Sequence, residues 1–233
     1  MKTIPLFDDF SLRSLRSGDA PAIFGAIDTQ REHLGRWLPF VAATHRVEQT
    51  QEVVAGMLND TANPVFTIRS GDAFAGLIGF KSADSTTRTI EIGYWLRSEF
   101  QGRGIMTSAV QALCRLAFEE MGMERIEIRC ALGNYRSNRI PQRLGFALDR
   151  VEVRGERLAD GEFVDLNVYL LWSAEKEAEK PTASPFPQSD NKPKLPAYAL
   201  RLRTVRDKSP TTPPLWMRSA ARASPAGNSC RTG

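Results

Sequence analysis

The hydrophobic and polar positions follow two different periods along the chain, and their order predicts a mixed α/β domain. Residues 10–15 alternate apolar and polar side chains, as a half-buried strand does. After Asp19, which stands where a helix N-cap is expected, apolar residues recur at helical spacing, and a second helix is predicted over 47–58. Between these helices, residues 34–40 are too apolar for an ordinary loop, so they either pack in the core or line a pocket.

Three strand-like runs follow at residues 65–69, 74–81 and 89–96. The short polar connections between them predict an antiparallel meander. From residue 104 to residue 121 the apolar positions follow a helical period, and Gly122 stands where glycine favours a helix end. The remaining predicted elements are a strand at 125–131, a short helix at 137–144, and a pair of strands at 146–153 and 164–171 joined by a hairpin at 159–162. The pattern therefore predicts one strand–helix–strand passage within an otherwise antiparallel sheet.

The composition is that of a globular protein and changes this picture little. Of 233 residues, 42% are hydrophobic and 25% are charged, which excludes collagen-like and wholly disordered chains. The chain has neither a membrane-spanning apolar run nor the apolar stretch of a signal peptide, so a soluble, cytoplasmic protein is expected. Cys114, Cys130 and Cys230 lack metal-ligand spacing, which favours buried free thiols over disulfides. His33 and His45 complete no metal site or Ser/His/Asp arrangement, and no metal is expected.

The charge is distributed unevenly between two parts of the chain. Residues 173–233 contain eleven basic and five acidic residues, which gives this stretch a net charge of +6. Residues 1–172 therefore carry a net charge of −2. The same stretch holds nine of the fourteen prolines, which prevents long helices or strands. We therefore predict one domain over 1–172 and a disordered basic tail over 173–233. The tail is either a dispensable extension or an arm that makes weak RNA or ribosome contacts.

The segment 101–107, Gln-Gly-Arg-Gly-Ile-Met-Thr, leads from a predicted strand directly into an amphipathic helix. Glycines let the backbone approach a ligand, and the free N–H groups and dipole of a helix start favour an anion such as a pyrophosphate. The segment is not a nucleotide-binding P-loop, because no Gly-Lys-Ser or Gly-Lys-Thr follows. It also lacks the third glycine of the dinucleotide fingerprint. Glycine-rich helix starts without a ligand are common as well.

Several linked motifs resemble the GCN5-related N-acetyltransferase (GNAT) superfamily, in its branch of RimJ/RimL-type ribosomal-protein N-terminal acetyltransferases. They are the segments 91–107, 117–122, 125–130 and 134–146, together with Arg-Trp-Leu-Pro at 36–39. The resemblance covers residues 1–172. It implies an α+β GNAT fold, with a mixed, mostly antiparallel twisted sheet that is splayed at the CoA site and flanked by about four helices.

The resemblance also assigns residues to the donor, acetyl-CoA. The pyrophosphate would lie on the backbone of the 101–107 turn, and the pantetheine arm would pair with the strand that ends in Trp95 and Leu96. Asn134 would hydrogen-bond the arm. The implied CoA-binding residues are Trp95, Leu96, Gln101, Gly102, Arg103, Gly104, Ile105, Met106, Thr107 and Asn134. Met106 departs from the family pattern, which has a small residue there.

Two residues are candidates for catalysis. Ser137 lies where the family places a hydroxyl that protonates the departing CoA thiolate, although a serine at a helix start also serves as an N-cap. Glu156 corresponds to the glutamate that this branch uses as general base, directly or through a water. The alternative for Glu156 is a surface carboxylate paired with Arg154 or Arg157.

The acceptor side is less defined by the sequence. Glu91 and Asp165 are the fallback acids if Glu156 is not the base, and both would lie on the acceptor side. Trp37 would lie where the acceptor enters. The resemblance favours transfer to a protein N-terminal α-amino group, of a ribosomal protein in particular. A small-molecule amine remains an alternative, as does a non-catalytic acyl-CoA-binding module, because function follows the site more than the fold. The oligomeric state, monomer or homodimer, stays open.

Overall fold

The structure is a computed structural model that describes residues 2–174 and Lys176. Its centre is one sheet of eight strands in the order β1-β2-β3-β4-β5-β6-β8-β7. The strands are β1 Thr3–Pro5, β2 Phe10–Ser14, β3 Val65–Ser70, β4 Ala73–Asp84, β5 Thr89–Leu96, β6 Arg125–Ala131, β7 Ala147–Arg157 and β8 Phe163–Trp172. The predicted strands are confirmed, and β1 was not foreseen. The predicted basic tail lies outside the described residues, apart from 173, 174 and 176.

Five α-helices flank the described sheet, where about four were expected. They are α1 Ala20–Thr29, α2 Arg31–Gly35, α3 Val47–Asn59, α4 Ile105–Arg115 and α5 Tyr135–Arg143. The predicted helix 104–121 is not α-helical throughout: α4 passes into a π-helical turn, Leu116–Glu120, before Gly122 turns the chain at φ 64°. None of the described helices is long and apolar enough to cross a membrane.

All sheet pairings are antiparallel except that of β5 with β6, which confirms the predicted strand–helix–strand passage through α4. The parallel pairing covers only three positions, Thr89–Glu91 on β5 against Arg125–Glu127 on β6. Beyond these residues the two strands diverge, while each keeps its antiparallel partner on the other side. The sheet is therefore splayed between β5 and β6, as the GNAT resemblance implied.

The two faces of the sheet are covered by different helices. Ile105, Ala109 and Leu113 form the buried stripe of α4 and pack into the main core with β4, β5 and β6. On the other face, α1 and α3 enclose a second core that includes Trp95. Leu34 at the end of this helical layer is buried in that core, so the apolar segment 34–40 does pack inward at this residue.

Local details correct two sequence expectations. The helix predicted at 137–144 begins at Tyr135, and its N-cap is Asn134, whose Oδ1 accepts a hydrogen bond from the Ser137 N–H at 3.2 Å. The N-cap alternative for Ser137 is therefore wrong. Asp19 stands at the N-cap position of α1, but its carboxylate accepts from the Arg16 N–H and pairs with Arg69 instead of capping that helix.

The cysteines in the described part follow the expectation. Cys114 and Cys130 are free and buried, and burial raises the pKa of the Cys114 thiol to about 12. Cys230 lies outside the described residues.

Candidate active site

The turn between β5 and α4 has the backbone geometry of an anion cradle. Gly102 and Gly104 have φ values of 78° and 80°, in the left-handed region that other residues adopt only with strain. Gly104 is the N-cap of α4. The first N–H groups of a helix have no partner within it, and the helix dipole adds a partial positive charge there. The turn therefore presents backbone donors to a negatively charged group.

A groove of about 530 Å³ extends from this turn along the diverging strands, between β5, α4 and α5. We call it the donor groove. Of the residues that the resemblance assigned to CoA, all but Arg103 line it: Trp95, Leu96, Gln101, Gly102, Gly104, Ile105, Met106, Thr107 and Asn134. The Arg103 guanidinium lies 5.0 Å from the centre of the Phe10 ring, so the side chain packs on β2. Met106 is only 6% exposed and forms both groove wall and core.

Hydrogen bonds and basic side chains hold the mouth of the donor groove. The side-chain nitrogen of Gln101 donates to the Leu96 carbonyl at 3.2 Å, and the side-chain oxygen of Gln101 accepts from Arg136 at 2.6 Å. Arg143 donates to the Thr107 hydroxyl at 3.0 Å. With Arg139, these two arginines of α5 place three positive charges along the groove. The free N–H groups of the turn and the arginines suit phosphates, and the unpaired edge of β5 suits an extended chain. The donor groove therefore suits a long ligand with phosphates at one end.

Ser137 lies at the inner end of the donor groove in a cluster of three protonated groups. Its hydroxyl donates to the Tyr94 phenol oxygen at 3.3 Å and lies 3.2 Å from the Cys130 sulfur. The Tyr94 hydroxyl donates in turn to the Ser137 carbonyl oxygen at 3.3 Å. Burial raises the pKa of Tyr94 well above its usual value and also raises the pKa of Cys130. At neutral pH the cluster is therefore uncharged and supplies O–H and S–H donors.

A second, smaller cavity of about 90 Å³ lies at the splay, and Glu156 lines it. We call it the acceptor cavity. Its other charged lining residues are Lys81, Glu91 and Arg129, each from a different strand. Five residues line both this cavity and the donor groove: Trp37, Leu38, Tyr94, Asn134 and Ser137. The two spaces therefore meet beside the Ser137 hydroxyl.

Lys81 reaches the acceptor cavity because of two local features of the sheet. The register of β4 against β5 shifts between Phe80 and Ser82, which makes Lys81 the extra residue of a β-bulge. Gly93 on β5 leaves room for the lysine stem, because a Cβ there would lie 2.5 Å from the Lys81 Cδ. The ammonium group then donates to Glu91 at 2.5 Å, and both side chains are nearly buried, at 13% and 12% exposure.

The Glu156 carboxyl is half-buried in this cavity and differs from a surface glutamate. Burial raises its pKa, and the negative charge of Glu91 adds to the rise, whereas Lys81 and Arg129 oppose it. The neighbouring arginines have other partners: Arg154 lies over the Phe163 ring at 4.3 Å, and Arg157 donates to the Gly161 carbonyl. A carboxyl with a raised pKa beside the meeting point of two cavities suits a general base.

Asp165 is separated from the other predicted acceptor residues. It lies on β8 between Val164 and Leu166, which line the acceptor cavity, so its side chain starts on the opposite face of the strand. Its carboxylate accepts a hydrogen bond from the Arg154 N–H at 2.8 Å. Arg154 is a left-handed residue at φ 54° in the irregular part of β7. In this structure Asp165 therefore fixes the strand that carries Glu156.

Sequence reasoning missed several residues of the two spaces, among them the arginines of α5, Arg129 and the three residues that follow. Tyr94 was assigned to a strand without a role, although alternation along β5 predicts that it faces away from Gly93 and Trp95. Lys81 was read only as a strand residue, because a bulge has no clear sequence signature. Cys130 was foreseen as a buried thiol but not as a neighbour of Ser137.

Comparisons with known proteins identify the family. A profile of the acetyltransferase (GNAT) domain matches residues 9–147, so the chain belongs to this family. The chain is 31% identical over 184 residues to the putative ribosomal N-acetyltransferase YdaF of Bacillus subtilis (strain 168), covering 77% of this chain and all of the relative. It is 29% identical over 171 residues to the ribosomal-protein-serine acetyltransferase of Escherichia coli (strain K12), covering 72% and 95%.

A solved structure extends the comparison to the fold. The RimL ribosomal L7/L12 α-N-protein acetyltransferase, in complex with coenzyme A, superposes with a TM-score of 0.70 at 26% identity, covering 73% of this chain and 98% of that one. The chain is thus an acetyl-CoA-dependent N-acetyltransferase with the GNAT fold. Among residues 2–174, no group of three or more His, Cys, Asp or Glu side chains is arranged to hold a metal ion.

Proposed function

We propose that this enzyme transfers the acetyl group of acetyl-CoA to the α-amino group at the N-terminus of a protein, in particular a ribosomal protein. One observation carries the proposal: the donor groove and the acceptor cavity share their lining beside Ser137, with the Glu156 carboxyl in the acceptor cavity. Such a meeting point holds a thioester and an amine together, which is the largest contribution to the rate of this type of reaction.

In this proposal the donor lies along β5. Its diphosphate accepts hydrogen bonds from the N–H groups of the turn at Gly102 and Gly104, and its phosphates face the arginines of α5. The pantetheine arm pairs with the β5 edge at Trp95 and Leu96, which has no strand partner on the side of β6. The thioester sulfur then reaches Ser137.

The acceptor amine enters the cavity past Trp37, and its nitrogen attacks the thioester carbonyl carbon. Glu156 takes one proton from the amine, directly or through one water. The carbon–sulfur bond breaks as the new amide bond forms, and the sulfur receives the proton of the Ser137 hydroxyl. The proton taken up by Glu156 then returns to the Ser137 oxygen through water, so both side chains regain their starting states. Tyr94 and Cys130 hold that hydroxyl in place. The products are the acetylated amine and free CoA.

The size of the acceptor cavity supports a chain terminus as acceptor. Pockets that enclose a drug-sized molecule have volumes of roughly 300–1,000 Å³. The acceptor cavity has only about 90 Å³ and therefore admits the end of an acceptor, with the rest outside. The names of the relatives agree with a protein N-terminus. A cytoplasmic location, a tail that contacts RNA or the ribosome, a domain boundary at 172 and a monomer or homodimer remain predictions from the sequence.

The test is an acetylation screen with the full chain, in which CoA release is measured. The panel contains peptides with a free α-amino group, the same peptides with that group blocked and a lysine retained, purified ribosomal proteins, a polyamine and an aminoglycoside. We expect turnover with free N-termini and none with blocked peptides. Turnover only with the small amines would contradict the proposed acceptor. CoA binding without turnover on any amine would contradict the catalytic assignment.

A further inference from the structure

A third cavity, of about 80 Å³, lies between the sheet and the layer formed by α1, α3 and the turn Pro39–Ala43. We call it the side cavity. Its walls are mainly apolar and come from both helices and from β4 and β5; they include Ile27, Leu38, Val53, Met57, Leu77 and Trp95. The space lies where the helical layer meets the sheet, and several of its lining residues are only half-buried.

The side cavity adjoins the place where the reaction occurs. Leu38 and Tyr94 line the side cavity, the donor groove and the acceptor cavity alike. Gly93 lines both the side cavity and the acceptor cavity. The side cavity and the acceptor cavity are therefore neighbours.

One polar group lines the side cavity without a partner among the described residues. Thr50 of α3 is 3% exposed, and its hydroxyl oxygen makes no hydrogen bond to any of them. Buried hydroxyls are nearly always hydrogen-bonded, and a threonine within a helix often satisfies its hydroxyl at a carbonyl of the preceding turn. A ligand that places a polar atom in the side cavity would give this hydroxyl a hydrogen-bond partner.

We propose that the side cavity binds the side chain of the acceptor's first residue and selects a compact one of three or four heavy atoms, such as threonine or valine. The inference rests on the proposed function. The side chain of an N-terminal residue branches from the carbon that bears the reacting nitrogen, so it must leave the acceptor cavity close to that nitrogen. The side cavity offers it an apolar site, and the Thr50 hydroxyl offers threonine a hydrogen bond.

The volume sets the size of the side chain. An apolar cavity of about 150 Å³ holds benzene, which has six carbon atoms. By proportion, the side cavity of about 80 Å³ holds three or four heavy atoms. Glycine and serine would leave part of it unfilled, and phenylalanine would not fit.

The experiment compares peptides that differ only in the first residue: glycine, serine, threonine, valine and phenylalanine. We expect kcat/KM for threonine and valine to exceed that for glycine and phenylalanine by about 10-fold or more, which is the discrimination that a few methyl groups provide. Equal rates across the panel would overturn the inference while leaving the proposed function intact. Acetylation of none of the peptides would contradict the proposed function, and the inference with it.

Two variants connect the preference to the cavity. Val53→Phe fills the side cavity and should lower kcat/KM for the valine peptide about 10-fold, while kcat/KM for the glycine peptide should change little. Thr50→Val removes one hydrogen bond, so it should lower kcat/KM for the threonine peptide about 5-fold relative to that for the valine peptide. Val151→Phe, at an exposed position of β7, is the matched control and should change neither. Thermal unfolding identifies any variant that fails to fold. If one of the two cavity variants does not fold, the other one tests the inference.

The contradicting results are equally specific. If Val53→Phe leaves the first-residue preference unchanged in a folded enzyme, the side cavity does not bind that side chain. The donor is the other possible occupant, and acetyl-CoA and butyryl-CoA are therefore compared with one peptide. If the wild type accepts butyryl-CoA readily and Val53→Phe abolishes only that activity, the cavity binds the acyl chain and the inference is overturned.

Discussion

The donor groove and the acceptor cavity differ in what they are made of. The critical part of the donor groove is backbone: the turn of 101–107 with two left-handed glycines, the start of α4, and the unpaired edge of β5. The acceptor cavity is made of charged side chains, with Lys81, Glu91, Arg129 and Glu156 coming from four different strands. One space is assembled by a local segment, and the other by the tertiary structure.

This difference explains how the two spaces respond to change. A backbone cradle tolerates substitution of its side chains and fails when its conformation is altered. The Arg103 side chain packs on Phe10 and does not line the donor groove, so we expect its replacement to leave the cradle intact. A cavity lined by four charges depends on its side chains, because the other three charges change the pKa of Glu156. We therefore expect variants of the acceptor cavity to affect turnover, and variants of the turn to affect CoA affinity.

The largest expected effect is that of Glu156→Gln. Without the base, kcat should fall by ~10²–10⁴, whereas the affinity for CoA should not change. Turnover is measured by CoA release and affinity by calorimetry. Glu162→Gln, in the hairpin that follows, is the control. Turnover close to that of the wild type would remove Glu156 from the mechanism.

Gly104→Val should have the converse effect. A non-glycine residue at φ 80° costs roughly 1–3 kcal/mol, so the turn should relax and CoA affinity should fall about 10- to 100-fold. A Cβ at Gly104 meets no atom within 4 Å, so the effect would come from the backbone conformation and not from a clash. Gly18→Val is the control, since a Cβ there also meets nothing and its φ is not in the left-handed region. Unchanged CoA affinity would contradict the cradle.

Ser137→Ala tests the place where the two spaces meet. The thiolate of CoA is a fair leaving group, because thiols have a pKa of about 8.5, so loss of the hydroxyl should lower kcat only about 10-fold. The KM for acetyl-CoA should stay unchanged, since the diphosphate site is distant. Ser108→Ala, further along α4, is the control. A change in KM alone would indicate that Ser137 binds the donor without assisting its departure.

Lys81→Met tests the electrostatics of the acceptor cavity and should give a smaller effect, seen mainly in the pH profile. The Lys81 charge lowers the pKa of Glu156, so its removal raises that pKa, and the acidic limb of kcat/KM against pH should move to higher pH. Glu91 raises the same pKa, so Lys81→Met combined with Glu91→Gln should return the limb towards its original position. A limb that stays in place in Lys81→Met would show that the titrating group is not Glu156.

The same contrast determined what could be predicted from the sequence. Apolar positions that recur every two residues or every 3.6 residues predicted the meander, the strand–helix–strand passage and the long helix. Each of these features depends on residues that are close in sequence. The turn was found because glycines and a helix start are local signals. The Lys81–Glu91 pair was not found, since it requires a bulge at Phe80–Ser82 and a missing Cβ at Gly93, which only the assembled sheet reveals.

Other differences have similar causes. The π-helical turn after Arg115 keeps the apolar period, so the sequence predicted one continuous helix. Asn134 was assigned to the donor, and its role as the cap of α5 depends on the backbone of residues 134–137. Asp165 was grouped with the acceptor acids, whereas strand alternation directs its side chain to the opposite face from Val164 and Leu166.

The most direct measurement of the central claim is amide hydrogen exchange of the full chain with and without CoA. The account predicts that CoA slows exchange at the backbone amides of residues 101–107 and at the β5 edge near Trp95 and Leu96, while the amides around Glu156 change little. If CoA leaves exchange in the 101–107 turn unaltered and protects another part of the molecule, the donor groove is not the CoA site.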